Sequence, residues 1–162
     1  MKFGLLYLPT YVPELDGQVG GFYERMLEQI ARADELGYAS VWLTEHHFDL
    51  YGGTIPNPAV FGSVVARATR NIRIGTAVTV LPLHNPLLVA EDFAMLDVLS
   101  NGRLDLGIGR GSVSAEYREF GISNDDSASV LKRWAPSMSA LMTFSTRSAF
   151  SAIHFFWAAT PL

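Results

Sequence analysis

SVWLTEHHF, residues 40–48, is a short β-like run that leads directly into a glutamate and two histidines, and this stretch decides the fold. Three further apolar runs have the same character, at residues 3–8, 72–80 and 104–108, so the four runs start 37, 32 and 32 residues apart. Strands this apolar are typical of a parallel sheet that is covered on both faces. The spacing leaves room for a helix in each interval.

Helical patterns fill these intervals. Asn57 and Asn85 each precede a proline and an apolar stretch, which predicts capped helices over residues 58–68 and 86–99. In the first interval a helix that stops at Gly37 is indicated by apolar residues at helical spacing, namely Phe22, Met26, Ile30 and Ala33. Strand–helix units in series imply parallel pairing with right-handed crossovers. This α/β pattern alone leaves a doubly wound sheet and a (β/α) barrel both open.

Composition limits the partners. The chain has 162 residues, 12 Lys and Arg against 16 Asp and Glu, and no cysteine. A net charge of −4 provides no basic surface for nucleic acid or an anionic membrane, so we expect neither as a partner. The absence of cysteine excludes disulfides and thiolate metal sites. No stretch reaches the roughly 18 apolar residues of a membrane span, and no signal peptide precedes the first strand, so we expect a cytoplasmic protein.

The composition changes near residue 127. All 14 glycines and all 16 acidic residues precede Ser127, whereas residues 127–162 are rich in serine and aromatic side chains. We therefore divide the chain into a domain over residues 1–126 and an atypical tail over residues 127–162. Three interpretations of the tail stay open: a frameshifted or truncated terminus, a hydrophobic capping helix, and an oligomer interface.

Reactive groups in parallel α/β folds gather where strands end. Glu45, His46 and His47 follow the second run. An imidazole at this place can exchange a proton near neutral pH, and a buried structural pair is the alternative. We expect no metal site here, because adjacent histidines lack the i, i+4 spacing of a helical zinc site and no third ligand is near in sequence.

Small residues mark the next two strand ends. Residues 75–77 (GTA) permit close approach of a flat ligand or of a neighbouring element. The fourth run ends in GIGRGS, where glycines flank Arg110. This arrangement suits a phosphate, and a salt bridge from Arg110 to Asp105 or Glu116 is the alternative. Since no G-x-S-x-G elbow, Walker loop or cysteine is present, cofactor chemistry is favoured over a covalent nucleophile.

In order along the chain, these motifs resemble the N-terminal half of the luciferase-like flavin-dependent monooxygenases, the bacterial luciferase superfamily. The resemblance spans about residues 1–127 and rests on residues 1–4, 41–48, 57–58, 75–78, 81–82, 85–86, 91–92, 100–103 and 107–111. It implies a parallel (β/α)₈ TIM barrel, truncated here to about its first four βα units.

The resemblance also implies roles for the polar residues after the second and fourth strands. His46 is similar to the active-site histidine that lies beside the reactive face of the flavin. Glu45 and His47 are then expected to support it. Glu116 falls where an acidic residue follows the phosphate arginine in bacterial luciferase, and we expect it to support the same site.

Four positions are expected to bind the cofactor. Ala77 and Val78 match the place where family members present backbone to the flavin ring, often through a non-proline cis peptide. Arg110 is similar to the arginine that contacts the flavin phosphate, and Gly109 lies beside it. Because Gly109 stands where the luciferase α chain has a reactive cysteine, light emission is not implied.

The activity that the resemblance implies is a flavin-dependent monooxygenase that uses reduced FMN and O₂ to oxygenate a small organic substrate. A separate flavin reductase is implied as a partner, since nothing here resembles a nicotinamide site. One alternative is a deazaflavin-coenzyme-dependent oxidoreductase of the same superfamily. The other is a catalytically silent half-barrel fragment, which forms homo-oligomers or aggregates through its open sheet edges.

Overall fold

The computed structural model describes residues 1–123, 126–130 and 132–134, together with the backbone of residues 154–157. The strands are β1 (Gly4–Tyr7), β2 (Ser40–Leu43), β3 (Arg73–Thr76), β4 (Thr79–Val80), β5 (Leu104–Gly109) and β6 (His154–Trp157). The helices with assigned bounds are α1 (Pro13–Asp16), α2 (Val19–Glu35), α3 (Pro58–Ala68), α4 (Pro86–Leu99) and α5 (Ser114–Glu119), and a 3-10 turn covers Leu81–Leu83. This alternation confirms the predicted α/β class.

The strands form one parallel sheet in the order β1-β2-β3-β5-β4, and β6 also pairs with β5. Both β3 and β4 pair with β5, through Ile74 opposite Leu104 and Thr79 opposite Ile108. The single strand that the sequence predicts over residues 72–80 is therefore interrupted. The interruption lies at residues 77 and 78, which are joined by a cis peptide bond, as the family resemblance implied.

Alternate residues of the strands face opposite sides of the sheet. Leu43 and Ile74 are fully buried and lie next to Gly62 of α3, where an added Cβ would be 3.7 and 3.5 Å from their side chains. Trp42 and Gly75 lie on the other face, where an added Cβ at residue 75 would be 2.2 Å from the indole ring. The helix-facing side thus carries the apolar core, and each buried Leu or Ile contributes about 1.5–3 kcal/mol.

The helices begin and end where the sequence predicts. The Asn57 side chain accepts hydrogen bonds from the backbone N–H groups of Ala59 and Val60, and Asn85 caps α4 in the same way. The predicted apolar face of α2 is buried, and the chain leaves this helix through Gly37 at φ +80°. These caps give acceptors to backbone N–H groups in the first turn of α3 and α4.

Arg103 lies at the amino edge of the sheet, far from the predicted chemistry. Its guanidinium donates to the carbonyl oxygens of Ala66, Thr69 and Ile72 at 2.8, 3.3 and 2.9 Å, and to its own turn at Ser100 O. It thereby satisfies carbonyl groups that the end of α3 leaves without helical partners. This part of the family-like motif serves the fold rather than the site.

The tail contributes one strand. Residues 154–157 pair in parallel with β5, in a register that places Asp105 opposite His154. The sequence analysis did not predict this strand. Residues 127–130 and 132–134 are helical, while the remainder of the predicted capping helix and oligomer interface lies outside the described residues. Within the described part of the chain, no helix has the length and apolar character needed to span a bilayer.

We expect Asn57→Ala to lower the free energy of unfolding by about 1 kcal/mol, because two backbone N–H groups at the start of α3 lose their acceptor. Urea denaturation of the variant and of Asn57→Asp measures the effect. Aspartate keeps a side-chain oxygen at the cap, so Asn57→Asp should remain within about 0.5 kcal/mol of the wild type. Equal losses in both variants would contradict the capping role.

Candidate active site

The parallel order of the strands brings the polar loops together at the carboxyl edge of the sheet. Glu45, His46 and His47 follow β2, His84 follows the 3-10 turn after β4, and Glu116 lies on α5. Two of these side chains are buried carboxylates, with Glu45 at 2% and Glu116 at 4% exposure. Glu116 contacts the ring of His46, whereas Glu45 contacts the rings of His47 and His84.

Glu116 holds the loop after β2. Its Oε1 accepts a 2.7 Å hydrogen bond from the backbone N–H of His47 and lies 3.2 Å from Nδ1 of His46. The His46 side chain remains 31% exposed and lines a cavity of about 440 Å³ together with Phe48, Tyr51 and Val113. With Nδ1 engaged, Nε2 is the ring nitrogen of His46 left available for chemistry in this cavity.

Glu45 forms a second, deeper network. Its Oε1 lies 2.7 Å from Nε2 of His84 and 3.1 Å from Nε2 of His47, and its Oε2 accepts a 3.1 Å hydrogen bond from the backbone N–H of Val80. These donors come from the loop after β2, from β4 and from the segment that follows it. The buried carboxylate therefore ties two strand ends together.

The electrostatics of this network favour charged forms. Burial opposes ionisation of Glu45, but the hydrogen bonds from His47 and His84 outweigh it and lower the pKa of Glu45. Burial likewise opposes protonation of His84, but the hydrogen bond and the charge of Glu45, with a further contribution from Asp92, raise the pKa of His84. Glu45 and His84 therefore form an ion pair at mildly acidic pH.

The arrangement differs from the sequence expectation in two respects. Glu45 and His47 are expected to support His46, yet Glu45 bonds to His47, His84 and Val80, and the contact to His46 comes from Glu116. The sequence analysis assigns no site role to His84. Its position after the third predicted strand is the sequence feature that could have identified it as a site residue. It lies 39 residues from Glu45 in sequence, so no local pattern joins the two.

Asp105 and Glu116, the two acidic residues considered as partners of Arg110, have other partners. Asp105 forms a bidentate pair with Arg73, at 2.7 and 2.6 Å, and Glu116 is engaged by the two histidines. In the part of the chain that the structure describes, neither carboxylate forms a salt bridge with Arg110. Among the described residues, the buried Nε of Arg110 has no hydrogen-bond partner, and such an orphaned donor is unfavourable unless a ligand supplies an acceptor.

The glycines near this edge allow close packing of neighbouring backbone and side chains. An added Cβ at Gly109 would lie 2.5 Å from Cγ2 of Val78, and one at Gly107 would lie 2.2 Å from the carbonyl oxygen of Thr76. Ala77 and Val78 themselves are half-buried. The glycines therefore let β5 lie close to β3 and β4. The backbone of residues 77 and 78, between these two strands, lies at the carboxyl edge of the sheet, near Glu45.

A profile of the family described as luciferase-like monooxygenase matches residues 1–156. The chain belongs to this family. The resemblance inferred from the sequence is thus confirmed, and the match runs past the boundary predicted at residue 126. Among curated relatives, this luciferase-like chain is 36% identical over 134 residues to the alkanal monooxygenase alpha chain of Photorhabdus laumondii, an alignment covering 83% of the chain and 36% of that protein.

Two other relatives agree with this placement. The oxygenase component of the flavin-dependent trigonelline monooxygenase of Acinetobacter baylyi is 40% identical over 99 residues, covering 60% of this chain and 27% of that protein. The crystal structure of the monooxygenase RslO1 from Streptomyces bottropensis superposes with a TM-score of 0.82 at 37% identity, covering 86% of this chain and 42% of RslO1. The luciferase-like chain spans about a third of the length of these curated relatives, which confirms the predicted partial barrel.

We expect the Glu45–His84 pair to stabilise the fold mainly between about pH 4.5 and 6.5, the ordinary pKa values of the two groups. The raised pKa of His84 contributes stability that is lost as the pH rises through the pKa of His84 in the folded protein. The lowered pKa of Glu45 contributes stability that is lost as the pH falls through the pKa of Glu45 in the folded protein. His84→Gln keeps a donor to Glu45 without the charge. The difference in unfolding free energy between wild type and His84→Gln should therefore peak in this window.

Urea denaturation from pH 4 to 9, on chelator-treated protein, measures this difference. His46→Gln is the matched control, because it replaces a histidine of the same loop that does not contact Glu45. A wild-type and His84→Gln difference that stays constant across the range would contradict the ion pair.

Proposed function

We propose that this chain supplies the catalytic half of a flavin-dependent monooxygenase that uses reduced FMN and O₂ to oxygenate a small organic substrate. The observation that carries the proposal is the His46 imidazole, which is part-exposed in a cavity and held at Nδ1 by the buried Glu116. Family membership supports the reaction class. The oxygenase component named for the trigonelline relative supports a separate reductase as the source of reduced flavin.

The residues at the carboxyl edge fit the flavin phosphate and ring. The buried Nε of Arg110, which no described residue bonds, suits an anionic acceptor such as the phosphate of FMN. The half-buried backbone of Ala77 and Val78, packed against Gly109, offers a surface for the flat ring. When bound, the reduced flavin supplies the two electrons that the activation of O₂ requires.

The role of His46 is to hold and move a proton. The contact with Oε1 of Glu116 favours a proton on Nδ1 of His46, which leaves Nε2 as the acceptor or, when the ring is protonated, the donor. Phe48 and Val113 line the same cavity and give it an apolar part beside the imidazole. Glu45 and His47 act on His46 indirectly, because they fix the backbone of the loop that carries it.

Phosphate recognition can be tested by flavin binding. Arg110→Ala should weaken FMN binding by about tenfold to a hundredfold, the effect of losing a charge-assisted hydrogen bond. Its effect on riboflavin, which lacks the phosphate, should be small. Arg118→Ala, which removes an exposed arginine of α5, is the control and should bind FMN as the wild type does. Fluorescence quenching of each flavin measures these affinities, and equal losses for FMN and riboflavin would contradict the phosphate role.

Turnover can be tested with an alkanal as a probe substrate, in the net reaction RCHO + O₂ + FMNH₂ → RCOOH + FMN + H₂O. His46→Ala should lower the yield of carboxylic acid by about a hundredfold or more while FMN affinity stays unchanged, because proton transfer is lost but cofactor contacts are not. Mass spectrometry of the acid after mixing with photoreduced FMN measures the yield. Flavin oxidation without any acid from the wild type, across several alkanals, would favour the catalytically silent alternative.

We also propose that the chain associates with itself. The proposal rests on exposed apolar side chains on the outer face of α4, where Leu88, Met95 and Leu99 are 57%, 58% and 57% exposed. A group of exposed apolar side chains on one face of a helix is typical of a surface that is covered in an assembly. Sedimentation velocity distinguishes a discrete oligomer from a monomer or an aggregate.

A further inference from the structure

The Glu45 network brings together a set of metal-ligating atoms that the monooxygenase proposal does not use as such. We propose that Glu45, His47 and His84 bind a divalent transition metal of the Zn²⁺ class. One ligand atom from each of the three residues lies within 4.8 Å of the other two, and Oε1 of Glu45 is 3.1 Å from Nε2 of His47 and 2.7 Å from Nε2 of His84. The sequence analysis expected no metal because it found no third ligand, and the fold supplies this ligand as His84.

The donor set matches the chemistry of zinc. Two neutral imidazole nitrogens and one carboxylate oxygen are borderline and hard ligands that Zn²⁺ accepts, and three protein ligands leave a fourth position for water. Ligand distances of 2.0–2.2 Å place tetrahedral ligand atoms about 3.3 Å apart. The present separations from Oε1 of Glu45, 3.1 Å to His47 and 2.7 Å to His84, need to open by roughly 0.2 and 0.6 Å to reach this spacing.

Burial and charge favour a cation at this place. The Glu45 side chain is fully buried and that of His47 is 8% exposed, so water competes weakly for these ligands. The His84 side chain is 26% exposed, which provides the path of entry. The carboxylate of Asp92 adds negative charge on the His84 side. A dication bound by Glu45, His47 and His84 would displace the protons that these side chains now share. The carboxylates of Glu45 and Asp92 would provide negative charge around it.

His46 is excluded from this site. Its Nδ1 faces Glu116 rather than Glu45, although it is adjacent in sequence to His47. A substitution of His46 therefore removes an imidazole of the same loop without removing a ligand. This makes His46→Gln the matched control for metal binding, whatever its effect on turnover.

The test is titration of tag-free, chelator-treated chain with Zn²⁺ by calorimetry, and with Co²⁺ by visible absorption. Wild type and His46→Gln should each bind one equivalent, and Co²⁺ should give the intense bands of a four-coordinate ion. His84→Gln and Glu45→Gln should each weaken binding by more than about tenfold. His84→Gln keeps a donor to Glu45, so circular dichroism should show it folded.

Three results would overturn the proposal. These are no binding to wild type, the same affinity in wild type and His84→Gln, or an equal loss in His46→Gln. None of them depends on flavin, so the metal site and the monooxygenase proposal can fail separately. Conversely, the loss of FMN binding in Arg110→Ala leaves the metal result unaffected.

Discussion

The buried carboxylate of Glu45 is the constraint on which the rest of the site depends. An isolated charge in the interior is strongly unfavourable, so its position requires donors that the fold must supply. His47, His84 and the backbone N–H of Val80 supply them, and they come from both sides of the interrupted strand. Satisfying one charge thus fixes the loop after β2, which carries His46, relative to β4 and the segment that follows it.

Glu116 stabilises a different part of the site from Glu45. It is delivered by α5 after β5, and it holds both the His47 backbone and the His46 ring through one oxygen. Glu45 therefore fixes the position of the loop after β2, whereas Glu116 orients the His46 imidazole that faces the cavity. Arg110, on the turn between β5 and α5, has a buried Nε without a hydrogen-bond partner among the described residues. His46 and Arg110 lie on the segments that follow β2 and β5.

The sequence predicts the parts of this structure that local patterns encode. The helix caps at Asn57 and Asn85 and the apolar strands depend on neighbours within a few residues, and the structure has them as predicted. The pairing of Glu45 with His84 depends on how a broken strand aligns with β5, and no periodicity encodes that alignment. The pairing of Asp105 with Arg73 likewise follows from strand register. The sequence motifs indicate His46 and Arg110 as site residues. They do not indicate which side chains these residues contact, because those contacts depend on how distant strands are arranged.

The most direct test of the central role of Glu45 is a proton titration of the histidine rings by two-dimensional NMR, in chelator-treated wild type and Glu45→Gln. The account predicts that His84 titrates above its ordinary value of 6.5 in the wild type and that its midpoint falls in Glu45→Gln. The ring signals of His46 should also move in the variant, because the loop after β2 loses its anchor. A His84 midpoint at the ordinary value in both proteins would contradict the account.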